Sequence, residues 1–316
     1  MSLLAEIKQA AADVMTHAEQ VKINHERLPD YARALLRQDF DAPFYDQTYH
    51  YLGDETETIA YLLCLDSINF GSGYFPFLKK RAGMSGYFTV ASCLKDWFEK
   101  EVPSPFKLES ISLSECTAIF GQSLEHPKVL ELMQLFTQAL NDLGHLLVQT
   151  YDASYSAMLG AANHSAEALM QILAQMPYFK DEAHYKGVRV PIYKRAQITP
   201  SDIALALPNQ GLGFFNDLDD LTIFADNLVP HVLRVDGILD YSPELLSQLD
   251  HPIPAGSAVE VEIRCAAIHT VELMVAQLQS QGEKSSARVL DMLLWNRGLA
   301  QPYRDMSRHR TYTVFY

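Results

Sequence analysis

Apolar residues recur at three- and four-residue steps through most of this chain, the spacing that gathers them on one face of a helix. The pattern predicts helices over Leu3 to Thr16, Leu28 to Arg37, Glu55 to Asn69, Tyr87 to Glu99, Pro127 to Val148 and Ala166 to Met176. Two more long helices are expected over roughly Ala258 to Leu278 and Ser285 to Trp295. Start signals support the reading. Asp54 with Glu57 three positions later forms a capping pair, and Thr199-Pro200 and Ser242-Pro243 each offer an N-cap followed by proline. Extended segments are few: Val188 to Tyr193 and Thr311 to Phe315. The longest polar or irregular connections fall near Lys180 to Lys186 and Pro208 to Asp219. No repeat and no strand–helix alternation is visible. The expected fold is mainly α with a few short strands. It forms one domain over 1–316, or two helical lobes (about 1–185 and 186–316) with the cleft between them.

The composition is that of an ordinary globular protein, 48% hydrophobic and 20% charged. Charge changes the picture more. Against 39 acidic residues stand 25 basic ones, a net charge of -14. Such a field repels a phosphate backbone, so no nucleic-acid partner is expected, although a local basic pocket can still hold a small anion. The four cysteines, Cys64, Cys93, Cys116 and Cys265, lack metal-ligand or disulfide-framework spacing, which points to buried thiols in a reducing cytoplasm and no metal. Residues 1 to 20 carry Glu6, Lys8 and Asp13 where a signal peptide would be apolar, and no run is long enough for a membrane span.

Two polar clusters interrupt the apolar pattern. In Leu65-Asp66-Ser67-Ile68-Asn69-Phe70-Gly71-Ser72-Gly73-Tyr74-Phe75-Pro76, a helix closes with a carboxylate and an amide and breaks into glycines flanked by aromatics. Those groups suit a flat ligand, read at its edge and sandwiched on its faces; a helix C-cap with a buried Asn accounts for them equally. In Leu221-Thr222-Ile223-Phe224-Ala225-Asp226-Asn227-Leu228-Val229-Pro230-His231, Asp226 follows an apolar helical face. There it either caps or crosslinks helices, or faces a cleft as the carboxylate that an oxocarbenium-like transition state needs. Lys194 and Arg195 lie where a strand hands over to a helix and offer cations for phosphate or carboxylate, when not simply solvated. Glu262 and Arg264 can face a pocket or form a surface ion pair; Arg308, His309 and Arg310 can build a phosphate site or a docked tail. Asp291 and Trp295 share a helix face. The sequence has no GxGxxG, P-loop, GxSxG or HExxH.

Taken in order, these segments resemble a known family. Val21-Lys22-Ile23-Asn24 through Tyr31-Ala32, the run from Leu65 to Pro76, Lys79-Lys80-Arg81 to Ser85-Gly86-Tyr87, and Tyr193-Lys194-Arg195-Ala196-Gln197 are similar to the queuosine salvage protein family. So are Leu221 to Pro230, Gly256-Ser257 to Arg264, Asp291 to Trp295 and His309-Arg310-Thr311. Family members are queuosine 5'-phosphate N-glycosylases/hydrolases, and the likeness spans roughly residues 20 to 316. It implies a helical fold related to helix-hairpin-helix DNA glycosylases. It also implies a cofactor-free hydrolysis of queuosine 5'-monophosphate to queuine and ribose 5-phosphate.

The resemblance further implies that Asp226 is the catalytic aspartate and Lys194 its partner. For the base, Asp66 and Asn69 are expected to read the O6, N1 and N2 edge, Phe70, Tyr74 and Trp295 to stack, and Glu262 to take the cationic cyclopentenediol arm. His231, Arg264 and Arg310 are the expected phosphate and ribose contacts. A queuine carrier or sensor without chemistry is the alternative from another class, set against the presence of both Asp226 and Lys194. A DNA or tRNA glycosylase is disfavoured by the net charge.

Overall fold

The structure, a computed structural model, describes residues 1–37, 44–208 and 211–316. In chain order its first half holds α1 (Leu3–Thr16), β1 (Val21–Ile23), α2 (Leu28–Leu36), α3 (Glu55–Ile68), α4 (Gly86–Phe98), α5 (Pro105–Glu109), α6 (Leu113–Ile119) and α7 (Pro127–Thr150). Then come α8 (Tyr155–Ala161), α9 (Ala166–Leu173), β2 (Glu182–Tyr185), β3 (Val188–Pro191), α10 (Lys194–Ala206), α11 (Val229–Val235) and β4 (Leu239–Tyr241). The chain closes with α12 (Pro243–Gln248), α13 (Ala258–Ser280), α14 (Ala287–Gly298) and α15 (Gln301–Arg304). The protein is thus mainly helical, as its periodicity predicts. Two antiparallel pairs, β1 with β4 and β2 with β3, are the only sheets among the described residues.

Two compact units can be separated. Unit one comprises Met1–Pro43, Asp181–Gln197 and Asp217–Tyr312. Its axis is α13, which packs against α1, α2, α11, α14 and both strand pairs. Every residue from Glu260 to Ile268 is buried, so over that stretch the helix has no solvent face to generate an amphipathic stripe. Its charged residues must therefore find partners inside the protein. Unit two comprises Phe44–Lys180, Ile198–Asn216 and Thr313–Tyr316. Here α7 carries α3, α5 and α6, and α3 is buried without a break from Thr58 to Ile68.

The Asp54–Glu57 capping box forms as its spacing predicts, and Ser242 caps α12 with Pro243 in the first turn. Other expectations fail for physical reasons. Pro200 does not open a helix; it lies inside α10, which begins at Lys194. It cannot donate the backbone bond to residue 196 and is carried by its neighbours. Residues 311–315 form no strand, although Arg310 makes an isolated bridge to Pro252. The 180–186 connection, read as irregular, contains β2. Within the 208–219 connection, positions 209 and 210 lie outside the described residues.

Candidate active site

The segment Leu221 to Ala225 is buried but neither helical nor extended into a sheet, so the expected helical face is absent. Asp226 instead sits just ahead of α11. Its Oδ1 accepts the N–H groups of Leu228 (2.7 Å) and Val229 (3.2 Å), two of the orphan donors at that helix start. The capping alternative is thereby realised, yet it uses one oxygen only. Among the described residues Oδ2 makes no hydrogen bond, and Asp226 is half-buried in a stretch whose neighbours on both sides are buried. Capping fixes the carboxylate's orientation and leaves one oxygen presented.

Lys194 begins α10 and is buried. Tyr193 before it adopts a left-handed φ of 54°, so the chain turns sharply into the helix. The turn is wrapped on Asp181, whose main-chain oxygen accepts the N–H groups of Ile192 (3.0 Å) and Tyr193 (3.1 Å). The Asp181 carboxylate accepts the Lys194 N–H at 3.1 Å.

Asp291, on α14, accepts the Phe224 N–H through Oδ1 at 2.9 Å. Burial pushes its carboxyl up to about 7; the Asp226 charge adds to the rise, and the Phe224 bond and Lys194 oppose it. Asp291 therefore lies within electrostatic reach of both Asp226 and Lys194. Trp295, one turn along α14 on the same face, is half-buried.

Several expected site residues are engaged inside the scaffold. Arg264 is buried: its Nη1 and Nη2 hold the Asp181 carboxylate at 2.9 and 2.5 Å, Nη1 also reaches Glu260 at 3.3 Å, and Nε donates to the Ala225 carbonyl at 2.9 Å. With its donors so engaged it serves as an internal anchor. Glu262 is held in the same way. Its Oε2 accepts the N–H groups of Glu19, Gln20 and Val21 at 2.7 to 3.2 Å, and Oε1 accepts the Tyr185 hydroxyl at 2.9 Å. Both carboxylate oxygens are thus engaged within the protein. His231 is buried with Nε2 bonded to the Tyr303 carbonyl (2.8 Å) and Nδ1 to Arg234 (3.1 Å). Burial pushes it down to about 4, so the ring is neutral at neutral pH.

The segment 307–310 is tied down through its carbonyls. Arg234 donates to Ser307 O (2.7 Å), Asn227 to His309 O (3.4 Å) and the Ile253 N–H to Arg310 O (2.8 Å). Along this segment Arg308 is exposed, His309 is buried, and Arg310 is half-buried with its Nε enclosed. Arg308 keeps accessible surface, yet surrounding protein atoms lower its proton affinity despite the nearby Asp226 charge. Among the described residues neither Arg308 nor Arg310 makes a side-chain ion pair.

In unit two, Asp66 is fully buried near the end of α3, and Asn69 at the C-cap donates to its Oδ1 at 3.4 Å. The Asp66 and Asp202 charges reach the phenols of Tyr45, Tyr61 and Tyr87, all pushed well above their ordinary range chiefly by burial. His50 bonds the Tyr87 hydroxyl at 2.9 Å. Phe70 and Tyr74 lie in the core. Phe70 packs edge-on against Phe136 and Tyr178 with ring centroids 5.3 and 6.0 Å away. The Tyr74 hydroxyl donates to Glu131 at 2.7 Å, with Lys128 over its ring. Gly71 is required by the turn between them: its φ is 89°, and a Cβ there would meet Leu132 at 2.7 Å.

Sequence reasoning missed Asp181, Asp291 in its bond to Phe224, and the polar nest of His50, Tyr61, Tyr87 and Asp202. Asp291 had a signal, a carboxylate one turn from Trp295 on a buried helix face. Asp181 had none, because a lone Asp before a short strand looks like a surface turn. Among the described residues no helix is long and apolar enough to cross a membrane, and no cluster of three metal-ligating side chains occurs.

Residues 49–316 match the queuosine salvage protein family, and the chain belongs to it. Its relatives include the queuosine 5'-phosphate N-glycosylase/hydrolase of Sphaerobacter thermophilus, 36% identical over 312 residues that cover 96% of this chain and 95% of the relative. The protein of the same name from Dictyostelium discoideum is 30% identical over the full length of both chains. That from Mus musculus is 31% identical, covering 73% of this chain and 72% of the relative.

Proposed function

We propose that the protein hydrolyses the N-glycosidic bond of queuosine 5'-monophosphate, releasing queuine and ribose 5-phosphate. The activity rests on full-length similarity to enzymes of that name. The observation that carries the mechanism is Asp226, oriented by one capped oxygen with the other presented. Breaking the C1'–N9 bond leaves positive charge on the ribose, and a fixed carboxylate beneath C1' stabilises that charge without reorganising. Water then adds its oxygen to C1' and the departing base takes up a proton. Queuine has carbon where purines accept a proton at N7, so leaving-group assistance falls on N3 or on hydrogen bonds to the O6, N1 and N2 edge.

Asp66 and Asn69 carry an acceptor and donor set suited to that edge. Trp295 is the remaining stacking candidate. For the 5'-phosphate the candidates are the exposed Arg308 and the half-buried Arg310, ahead of the internally engaged Arg264 and His231. Lys194 serves electrostatically beside Asp226. The reaction needs no cofactor, and the net charge of -14 favours a small nucleotide over nucleic acid in a cytoplasmic setting. A fold kinship with helix-hairpin-helix DNA glycosylases belongs to the same proposal.

The test is incubation with queuosine 5'-monophosphate and detection of free queuine. Asp226→Asn should lower kcat by about 10³, roughly 4 kcal/mol of transition-state stabilisation, while queuine still binds. Near-normal turnover in that variant removes Asp226 from the mechanism. Queuine binding by the wild type without any release of base identifies a carrier instead.

A further inference from the structure

We infer that the buried Asp181–Arg264 ion pair is a positioning device that sets Lys194 and Asp226 in register. The inference rests on the role proposed above for those two residues. Its geometry is a continuous relay within unit one. Asp181 holds the approach to Lys194 at three backbone groups: its main-chain oxygen takes the N–H of residues 192 and 193, and its carboxylate takes that of Lys194. The same carboxylate is gripped by both terminal nitrogens of Arg264. The remaining guanidinium nitrogen, Nε, donates to the carbonyl of Ala225, the residue before Asp226. One rigid fork thus connects the backbone of residue 194 to that of residue 225.

A fold that needed only stability has little use for this arrangement. Replacing a buried ion pair by apolar side chains of similar volume is often neutral or stabilising. What an apolar pair cannot supply is direction. Guanidinium offers donors in a fixed plane, so the Asp181 carboxylate and the Ala225 carbonyl are held at one mutual orientation. Glu260 shares Nη1 and limits rotation of the head group. Each backbone contact of the fork falls on a segment that ends in a proposed reacting side chain.

Arg264→Lys tests this directly. Lysine keeps a positive charge for Asp181 and Glu260 but cannot span both carboxylate oxygens and the Ala225 carbonyl. Asp181→Asn is the second variant; it keeps an acceptor for the Lys194 N–H and loses the bidentate pair. Asp236→Asn is the control, a polar hub in the same unit bonded to Tyr31, Arg297 and Tyr303 and to no member of the relay.

Arg264→Lys should lower kcat at least about tenfold with KM within about threefold, whereas Asp236→Asn lowers the melting temperature and spares kcat. In an Asp226→Asn background the Arg264→Lys loss should shrink to about twofold, because the fork acts through Asp226. An undiminished loss there, or kcat within threefold of wild type in both relay variants, overturns the inference. Amide hydrogen exchange supplies a readout that needs no substrate. Peptides covering 192–194 and 224–227 should both exchange faster in Arg264→Lys and Asp181→Asn, and neither in Asp236→Asn. Loosening of one segment alone overturns the relay even if the enzyme has another substrate. Joint loosening in a protein that releases no queuine keeps the relay and discards the activity.

Discussion

Replacing Asp291 by Asn isolates the cost of keeping that carboxyl beside Asp226. Burial, with the Asp226 charge, carries Asp291 from an ordinary 3.8 to about 7. Each tenfold change in proton affinity corresponds to about 1.4 kcal/mol, so roughly three decades correspond to about 4 kcal/mol. The native protein binds this proton more tightly than the unfolded chain does. Below about pH 4 both states carry it and nothing is lost. Between about pH 4 and pH 7 the unfolded chain gains by ionising, and native stability drains away; above about pH 7 the deficit is constant. Asparagine does not ionise, and its Oδ1 still accepts the Phe224 N–H. Asp291→Asn should therefore match the wild type near pH 4 and exceed it by up to about 4 kcal/mol near pH 8. Urea unfolding of both proteins across that range measures the difference directly, and other titrating groups largely cancel in it. A difference that stays flat with pH, or one that favours the wild type near pH 8, refutes the reasoning.

The buried histidines act in the opposite sense. His231 and His309 are pushed down, chiefly by burial, to about 4 and about 3. Stability they contribute is present above the unfolded value of 6.5 and is lost as pH falls through the acid range. In His231→Gln, which can still donate to Tyr303 and accept from Arg234, the slope of stability against pH near pH 5 should drop by about one proton. Gly144 lets α7 approach α5, since a Cβ there would lie 2.1 Å from the Glu109 nitrogen. Gly144→Ala should cost about 3 kcal/mol or more in thermal or urea unfolding. The exposed helical Gly160 has nothing within 4 Å of such a Cβ, and Gly160→Ala should gain about 0.5–1 kcal/mol. Glu262→Gln offers its amide nitrogen where an oxygen now accepts, and unfolding should show a loss of about 2–3 kcal/mol.

The helices were legible where they bury one stripe. α1 begins and ends where the apolar spacing places it, and the Asp54 capping box and Ser242 cap were visible as local patterns. Legibility failed where burial is complete or local signals compete. At Thr199-Pro200 a cap-and-proline signature pointed to a helix start, but hydrogen bonding from Tyr193 onward begins the helix earlier. Glu262 and Arg264 read as pocket or surface residues because charge on a helix usually faces water. α13 has no water to face over that stretch, and the two side chains turn to backbone groups of β1 and of the 225 segment. Phe70 and Tyr74 carried the composition of a stacking site; their partners, Phe136 and Glu131, lie on α7, far along the chain.

The segment from Leu221 to Asp226 shows why the candidate site could be located in the sequence but not built from it. A buried chain that joins neither helix nor sheet must satisfy its backbone groups by other means, or lose about 1–3 kcal/mol for each one left unpaired. Here side chains do it. Gln197 accepts the Thr222 N–H at 2.8 Å, Asp291 accepts that of Phe224, and Arg264 donates to Ala225 O. Those partners come from α10, α14 and α13, so no window of local sequence contains the set. Each is polar in a core that would otherwise be apolar, and each makes sense only once the irregular segment is known. The irregularity has a consequence in turn: it delivers Asp226 at the mouth of α11 with one oxygen committed to the helix start and the other uncommitted. A regular helix through the same residues would satisfy its own backbone and leave Gln197, Asp291 and Arg264 without that work. The three long-range partners and the presented carboxylate are therefore one structural solution, and a substitution that regularises the segment should remove them together.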